Sequence, residues 1–142
     1  MAFTATARRL GNTLKHEVDV NGRHTITTDE PVSLGGTDEA PAPHELLPAA
    51  LASCVATMVA MYAERRGWDI GEPSVDVTYD NEASPRRFDI AVRLPNHLSA
   101  EQVRRLERVA ETCPIRRALE AGFVFEERLV FEERLPATPL VA

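Results

Sequence analysis

Residues 43–63 read PHELLPAALASCVATMVAMYA, and the rest of the predicted fold is built around them. The stretch has high helix propensity and is apolar almost all round, which predicts a helix from Glu45 to Ala63. Such a helix either crosses a membrane or forms the centre of a core. Because the run is at the lower limit of length for a span and contains Pro48, Ser53 and Thr57, we expect a buried core helix and no membrane association.

The segments on both sides of this helix predict strands grouped in hairpins. Residues 3–28 contain alternating apolar and polar positions and an Asn21-Gly22 turn, the strongest short hairpin signal. Residues 29–43 hold too many prolines and glycines for regular structure and are expected to form a loop. Residues 74–79 and 88–94 predict a second hairpin, so the fold class is α+β with a largely antiparallel sheet.

The C-terminal third predicts two helices and a final strand or hairpin. Ser99 and Gln102 have the spacing of a capping box at the start of a helix. Cys113-Pro114 breaks that helix and opens a short one, Ile115 to Glu120. Five apolar residues then alternate as in a strand: Phe123, Phe125, Leu129, Phe131 and Leu135.

Length and composition predict a single domain over residues 1–142, expected to be cytoplasmic. The net charge is −6, and the arginines come as scattered pairs instead of one basic face, so nucleic-acid binding is disfavoured. The N-terminal segment lacks the charge-then-apolar order of a secretory signal. Two cysteines without a C-x-x-C motif are too few for a disulfide-stapled secreted scaffold.

The two cysteines are the residues best suited to chemistry. Cys54 lies in the middle of the apolar helix, where inert packing is as natural as reactivity. Cys113 precedes Pro114 at the head of a short helix, where free N–H groups and the helix dipole favour a thiolate. From the residues alone, each cysteine is either a packing residue or a working thiol.

Four pieces of sequence together resemble one family: residues 43–54, Asp29-Glu30-Pro31, Gly35-Gly36, and Cys113-Pro114-Ile115. They resemble the family of osmotically inducible protein C (OsmC) and the organic hydroperoxide resistance proteins, over nearly the whole chain. The resemblance implies an intertwined homodimer in which antiparallel sheets from both chains wrap the central helices. It also implies that the cysteine matching Cys54 attacks a peroxide and that the one matching Cys113 resolves the product.

The family's peroxidases activate the attacking cysteine with an arginine from the N-terminal strands, held by a glutamate directly after the proline that matches Pro43. Here that position is His44, and the acid follows as Glu45. Arg23 is the candidate activating arginine, with Arg8 and Arg9 behind it. A histidine at this position orients a substrate, activates a thiol or simply caps the helix.

The expected function is a thiol-dependent peroxidase that reduces organic hydroperoxides or hydrogen peroxide in oxidative or osmotic stress defence. An external dithiol would reopen the Cys54–Cys113 disulfide, and no cofactor or metal is expected. The alternatives are a non-catalytic protein that binds an apolar small molecule and a redox sensor, both on the same fold.

Overall fold

The computed structural model describes residues 1–132 and has two antiparallel sheets and three α-helices. The α+β prediction is confirmed. The strands are β1 (Ala5–Arg9), β2 (His16–Val20), β3 (His24–Thr28), β4 (Ser74–Asp80) and β5 (Arg87–Arg93), and the helices are α1 (Leu46–Arg66), α2 (Ala100–Ala110) and α3 (Pro114–Ala121). Short 3₁₀ turns at Val32–Leu34 and Pro43–Glu45 lie in the segment between β3 and α1.

The first sheet has the order β1-β2-β3, and the predicted hairpin turn joins β2 to β3. Asn21 and Gly22 both have positive φ, 56° and 70°, which explains why these two residue types stand there. The register places the apolar residues of the three strands on one face, called here the apolar sheet face. Its apolar members are Ala5, Ala7, Val18, Val20 and Ile26.

The core of the chain lies between α1, α2 and the β4–β5 hairpin. One stripe of α1, at intervals of four residues, is almost fully buried: Leu51, Val55, Val59 and Ala63. Apolar side chains of the β4–β5 hairpin pack against this core, together with Leu106 of α2. Gly67, with φ 69°, caps the C-terminal end of α1 in the left-handed conformation.

The rest of α1 is less covered than the sequence predicts. Leu47, Ser53, Thr57 and Met61 are exposed. Residues 43–66 are long and apolar enough to span a membrane by length and composition, yet only 22% of their most apolar part is buried within the chain. The first sheet leaves an apolar face open too, since Ile26 is 40% exposed. Residues 1–132 of a single chain therefore leave two apolar surfaces, on α1 and on the first sheet, without a full cover.

The two shorter helices begin as the sequence predicts. At α2, the Ser99 hydroxyl accepts a bond from the Gln102 N–H while the Gln102 side chain accepts one from the Ser99 N–H, so the capping box is confirmed. Cys113 is the N-cap of α3, and Pro114 occupies its first turn.

The predicted final strand is wrong for the residues that the structure describes. Residues 122–132 form neither helix nor strand, because a strand needs a neighbour to bond with and no described strand of the chain pairs with this segment. Phe123, Phe125, Leu129 and Phe131 are all exposed. Leu135 lies outside the described residues.

Candidate functional site

The fold brings the two cysteines together from distant parts of the sequence. Cys54 lies in the middle of α1, half-buried, and Cys113 lies at the head of α3, fully buried. Both are free thiols, and both pack in the same core. The thiol of Cys113 and the backbone N–H of Ile115 both lie close enough to the Cys54 thiol to shift its pKa. This pairing joins the two residues that the sequence singled out.

Local geometry explains the position of Cys113. Its N–H reaches the Ala110 carbonyl at 3.4 Å, at the end of α2, and its own carbonyl accepts the Arg117 N–H at 3.0 Å, in the first turn of α3. Pro114 needs no N–H partner at that point and fixes the backbone for the new helix. The cysteine is therefore held at the junction of two helices and turned into the core.

The surroundings of Cys54 favour the neutral thiol. Burial raises its pKa, and the neighbouring Cys113 thiol raises it further, whereas the Ile115 N–H lowers it. In the part of the chain that is described, no arginine, lysine or histidine lowers this pKa. Within residues 1–132, no positive charge therefore offsets the effect of burial on this thiol.

His44 and Glu45 lie at the head of α1 and not beside Cys54 of the same chain. They line a small cavity of about 180 Å³ together with Pro48, Tyr79 and Asn81. Glu45 precedes Cys54 by nine residues, so the two are separated by roughly 13 Å along the helix axis. No local sequence pattern predicts that Tyr79 and Asn81, at the end of β4, join these residues.

A buried carboxylate holds the loop that precedes His44 and Glu45. The sequence motif includes this residue but does not predict its structural role. Asp29, 1% exposed, accepts bonds from the Thr37 hydroxyl at 2.7 Å and from the N–H groups of Glu30 at 2.8 Å and Glu39 at 3.1 Å. The bond from Thr37 lowers the Asp29 pKa most. Gly36 is also required here, because a Cβ would overlap the Glu30 backbone.

The arginines of the first sheet take three different positions. Arg8 pairs with Glu17 at 2.7 Å on the polar face. Arg9 shares the apolar sheet face, and its Nε donates to the Thr13 carbonyl at 2.8 Å. Arg23 lies in the β2–β3 turn, exposed and without an ion pair to residues 1–132. None of these three arginines is among the groups that shift the pKa of Cys54 in the same chain.

Within residues 1–132, no three His, Cys, Asp or Glu side chains group closely enough to hold a metal ion.

Comparison with known proteins places this arrangement in a family. A family model described as OsmC-like protein matches residues 36–128, a range that contains both cysteines and the loop before α1. The chain belongs to the OsmC-like family. This family is known for hydroperoxide resistance and redox roles, and its members are commonly dimeric. No curated protein matched the chain in a separate sequence comparison.

Solved structures of OsmC-like proteins have the same fold. A Psychrobacter arcticus protein described as an osmotic stress induced and detoxification response protein is 29% identical, with TM-score 0.68, covering 80% of this chain and 85% of its own. An organic hydroperoxide resistance protein from Legionella pneumophila is 22% identical, with TM-score 0.57 and coverage of 84% and 89%. An OsmC-like protein from Mycoplasma pneumoniae is 18% identical, with TM-score 0.64 and coverage of 84% and 88%.

Proposed function

We propose that this protein is a cytoplasmic thiol-dependent peroxidase, one OsmC-like domain over residues 1–142, that reduces organic hydroperoxides or hydrogen peroxide in oxidative or osmotic stress defence. The observation that carries the proposal is the contact between Cys54 and Cys113, two free thiols from different helices. Membership of a family with hydroperoxide and redox roles supports it.

The reaction uses both sulfurs. The Cys54 thiolate attacks the terminal oxygen of the hydroperoxide, the O–O bond breaks, and the alkoxide leaves as an alcohol after taking a proton. Cys54 is then a sulfenic acid. The Cys113 thiol condenses with it, forming the disulfide and releasing water. An external dithiol reduces the disulfide by exchange and returns both thiols.

We infer that the working form is a homodimer. Within residues 1–132, three apolar surfaces lack a cover: the outer face of α1, the apolar sheet face, and residues 123–131. A three-stranded sheet needs packing on one face to be stable, and exposed apolar surface of this extent is typical of an interface. A second copy would cover these surfaces, in keeping with the commonly dimeric family.

The dimer would also supply the positive charge that Cys54 lacks within residues 1–132 of one chain. Glu45 and His44 lie at the head of α1, too far from Cys54 of the same chain to reach it. A role for them in activating a thiol therefore requires Cys54 of the partner subunit. Arg23 remains the proposed activating arginine, and Arg9 is a second candidate because it shares the face that would pack on the partner. A guanidinium beside Cys54 would offset the effect of burial on its pKa.

A second candidate function is a non-catalytic binding protein, which one observation favours, and a redox sensor on the same fold is the further alternative. The pKa of Cys54 is raised in the described chain, which slows attack on a peroxide at neutral pH. A sensor would form the disulfide with stoichiometric oxidant but would lack a reductant that recycles it.

Steady-state peroxide consumption separates these functions. With dithiothreitol as reductant, the wild type should consume many equivalents of cumene hydroperoxide and Cys54→Ser none. When the reductant is omitted, Cys113→Ser should consume a single equivalent. Full activity in Cys54→Ser would refute the peroxidase mechanism. Disulfide formation without turnover would favour the sensor, and unreactive thiols would favour the binding protein.

A further inference from the structure

A groove runs between the β4–β5 hairpin and helices α2 and α3. Its first part is a cavity of about 500 Å³ with an apolar lining from Leu51, Phe88, Ile90 and Leu119. A second cavity of about 360 Å³ continues it and shares Ile90 and Arg116 with the first. Each falls within the size range of small-molecule sites, and the two shared residues join them into one elongated, open groove whose lining is partly apolar and partly charged.

The groove has a positive end and a negative end. Arg86 and Arg116 line the first cavity with one acid, Glu120, which bonds Arg116 at 2.7 Å. Arg86 makes no hydrogen bond or ion pair with residues 1–132, so its charge is free to face a ligand. Glu107 and Glu111 lie on the second cavity. An anionic group is therefore favoured at the Arg86 end and disfavoured at the other.

We propose that this groove binds an amphipathic monocarboxylate, with the carboxylate at Arg86 and Arg116 and the alkyl chain in the groove over Ile90. Guanidinium groups bind a carboxylate through charge-assisted hydrogen bonds, and the groove walls remove the alkyl chain from water. The groove uses neither Cys54 nor Cys113 as a lining residue. The binding therefore stands or fails independently of the peroxidase chemistry.

Calorimetric titration of the full-length protein with decanoate tests the site. Decanol and decyltrimethylammonium have the same chain with a neutral or cationic head, and acetate has the head without the chain. Decanoate should bind measurably tighter than all three. Arg86→Gln should weaken decanoate binding about tenfold or more, because it removes a charge-assisted hydrogen bond. Arg104→Gln, an exposed arginine of α2 outside the groove, should leave binding unchanged.

A cavity-filling variant gives a second readout. Leu119→Trp should abolish decanoate binding while the circular dichroism spectrum stays that of the wild type. The proposal is overturned if decanoate does not bind, if decanol binds equally well, or if Arg86→Gln and Arg104→Gln behave alike. It is also overturned if nuclear Overhauser contacts in the ligand-free protein place Phe125 or Phe131 against Ile90, because the chain itself would then fill the groove.

Discussion

Mixed dimers that combine a Cys54→Ser chain with a Glu45→Gln chain test whether each site is built from two subunits. Within one chain, Glu45 at the head of α1 precedes Cys54 by nine positions, roughly 13 Å along the helix axis. A carboxylate that far away cannot hold a group beside the sulfur. If Glu45 acts on Cys54 of the partner subunit, a mixed dimer contains one complete site and one site without its nucleophile.

The expected activity follows from counting sites. The mixed dimer should have about half the peroxidase activity of the wild-type dimer, whereas a site within one chain would give no more than half the residual activity of the Glu45→Gln homodimer. Co-expression with two different affinity tags isolates the mixed species, and dithiol-dependent consumption of cumene hydroperoxide gives its rate.

A matched control comes from the cysteine pair. Cys54 and Cys113 meet within one chain, so a mixed dimer of Cys54→Ser and Cys113→Ser should not recover turnover. Recovery in this control would refute the intrachain pairing. Full activity of the Glu45→Gln homodimer, or failure of the first mixed dimer to exceed half that homodimer's activity, would refute the shared site.

Three further changes test the fold and the thiols. Leu106→Ala should lower the free energy of unfolding by about 2–5 kcal/mol, because the residue is 1% exposed and leaves a cavity; a urea titration that shows no change would contradict this packing. Asp29→Asn should lower Tm at neutral pH, and the difference from wild type should shrink progressively as pH falls below the ordinary aspartate pKa of 3.8, since the stabilisation from a lowered pKa is complete above that value and is lost as the folded-state carboxylate takes up its proton; a gap that widens in acid would oppose it. Cys113→Ala should shift the pH midpoint of Cys54 alkylation by iodoacetamide downward, because the Cys113 thiol raises the Cys54 pKa; an upward shift would be inconsistent with that contact.

Local sequence signals predicted the local structure well. The Asn21-Gly22 turn and the Ser99–Gln102 capping box stand where the sequence placed them. Their determinants are short-range, because a positive φ or a cap bond involves only neighbouring residues.

The errors came from surfaces whose partner is not encoded locally. Alternation in residues 123–131 specifies two faces of a strand but not which strand pairs with them, and the described chain offers none. In the same way, the all-round apolar character of α1 does not specify whether its own chain covers it.

The site was predictable in part. The motif around Cys54 and the Cys113-Pro114 pair pointed to residues that the fold brings together. The position of Arg9 on the apolar sheet face depends on strand register. The hydrogen bonds from the loop to Asp29 depend on how the loop folds around that carboxylate. Neither has a signal in the local sequence.

The Cys54–Cys113 redox pair is tested most directly by intact-mass analysis of the reduced protein after one equivalent of cumene hydroperoxide, followed by peptide mapping. We expect rapid loss of the mass of two hydrogen atoms per chain and one cross-linked peptide that joins Cys54 to Cys113. The Cys113→Ser variant should instead gain one oxygen at Cys54. Unchanged thiols in the wild type, or slow oxidation without this link, would contradict the proposed function.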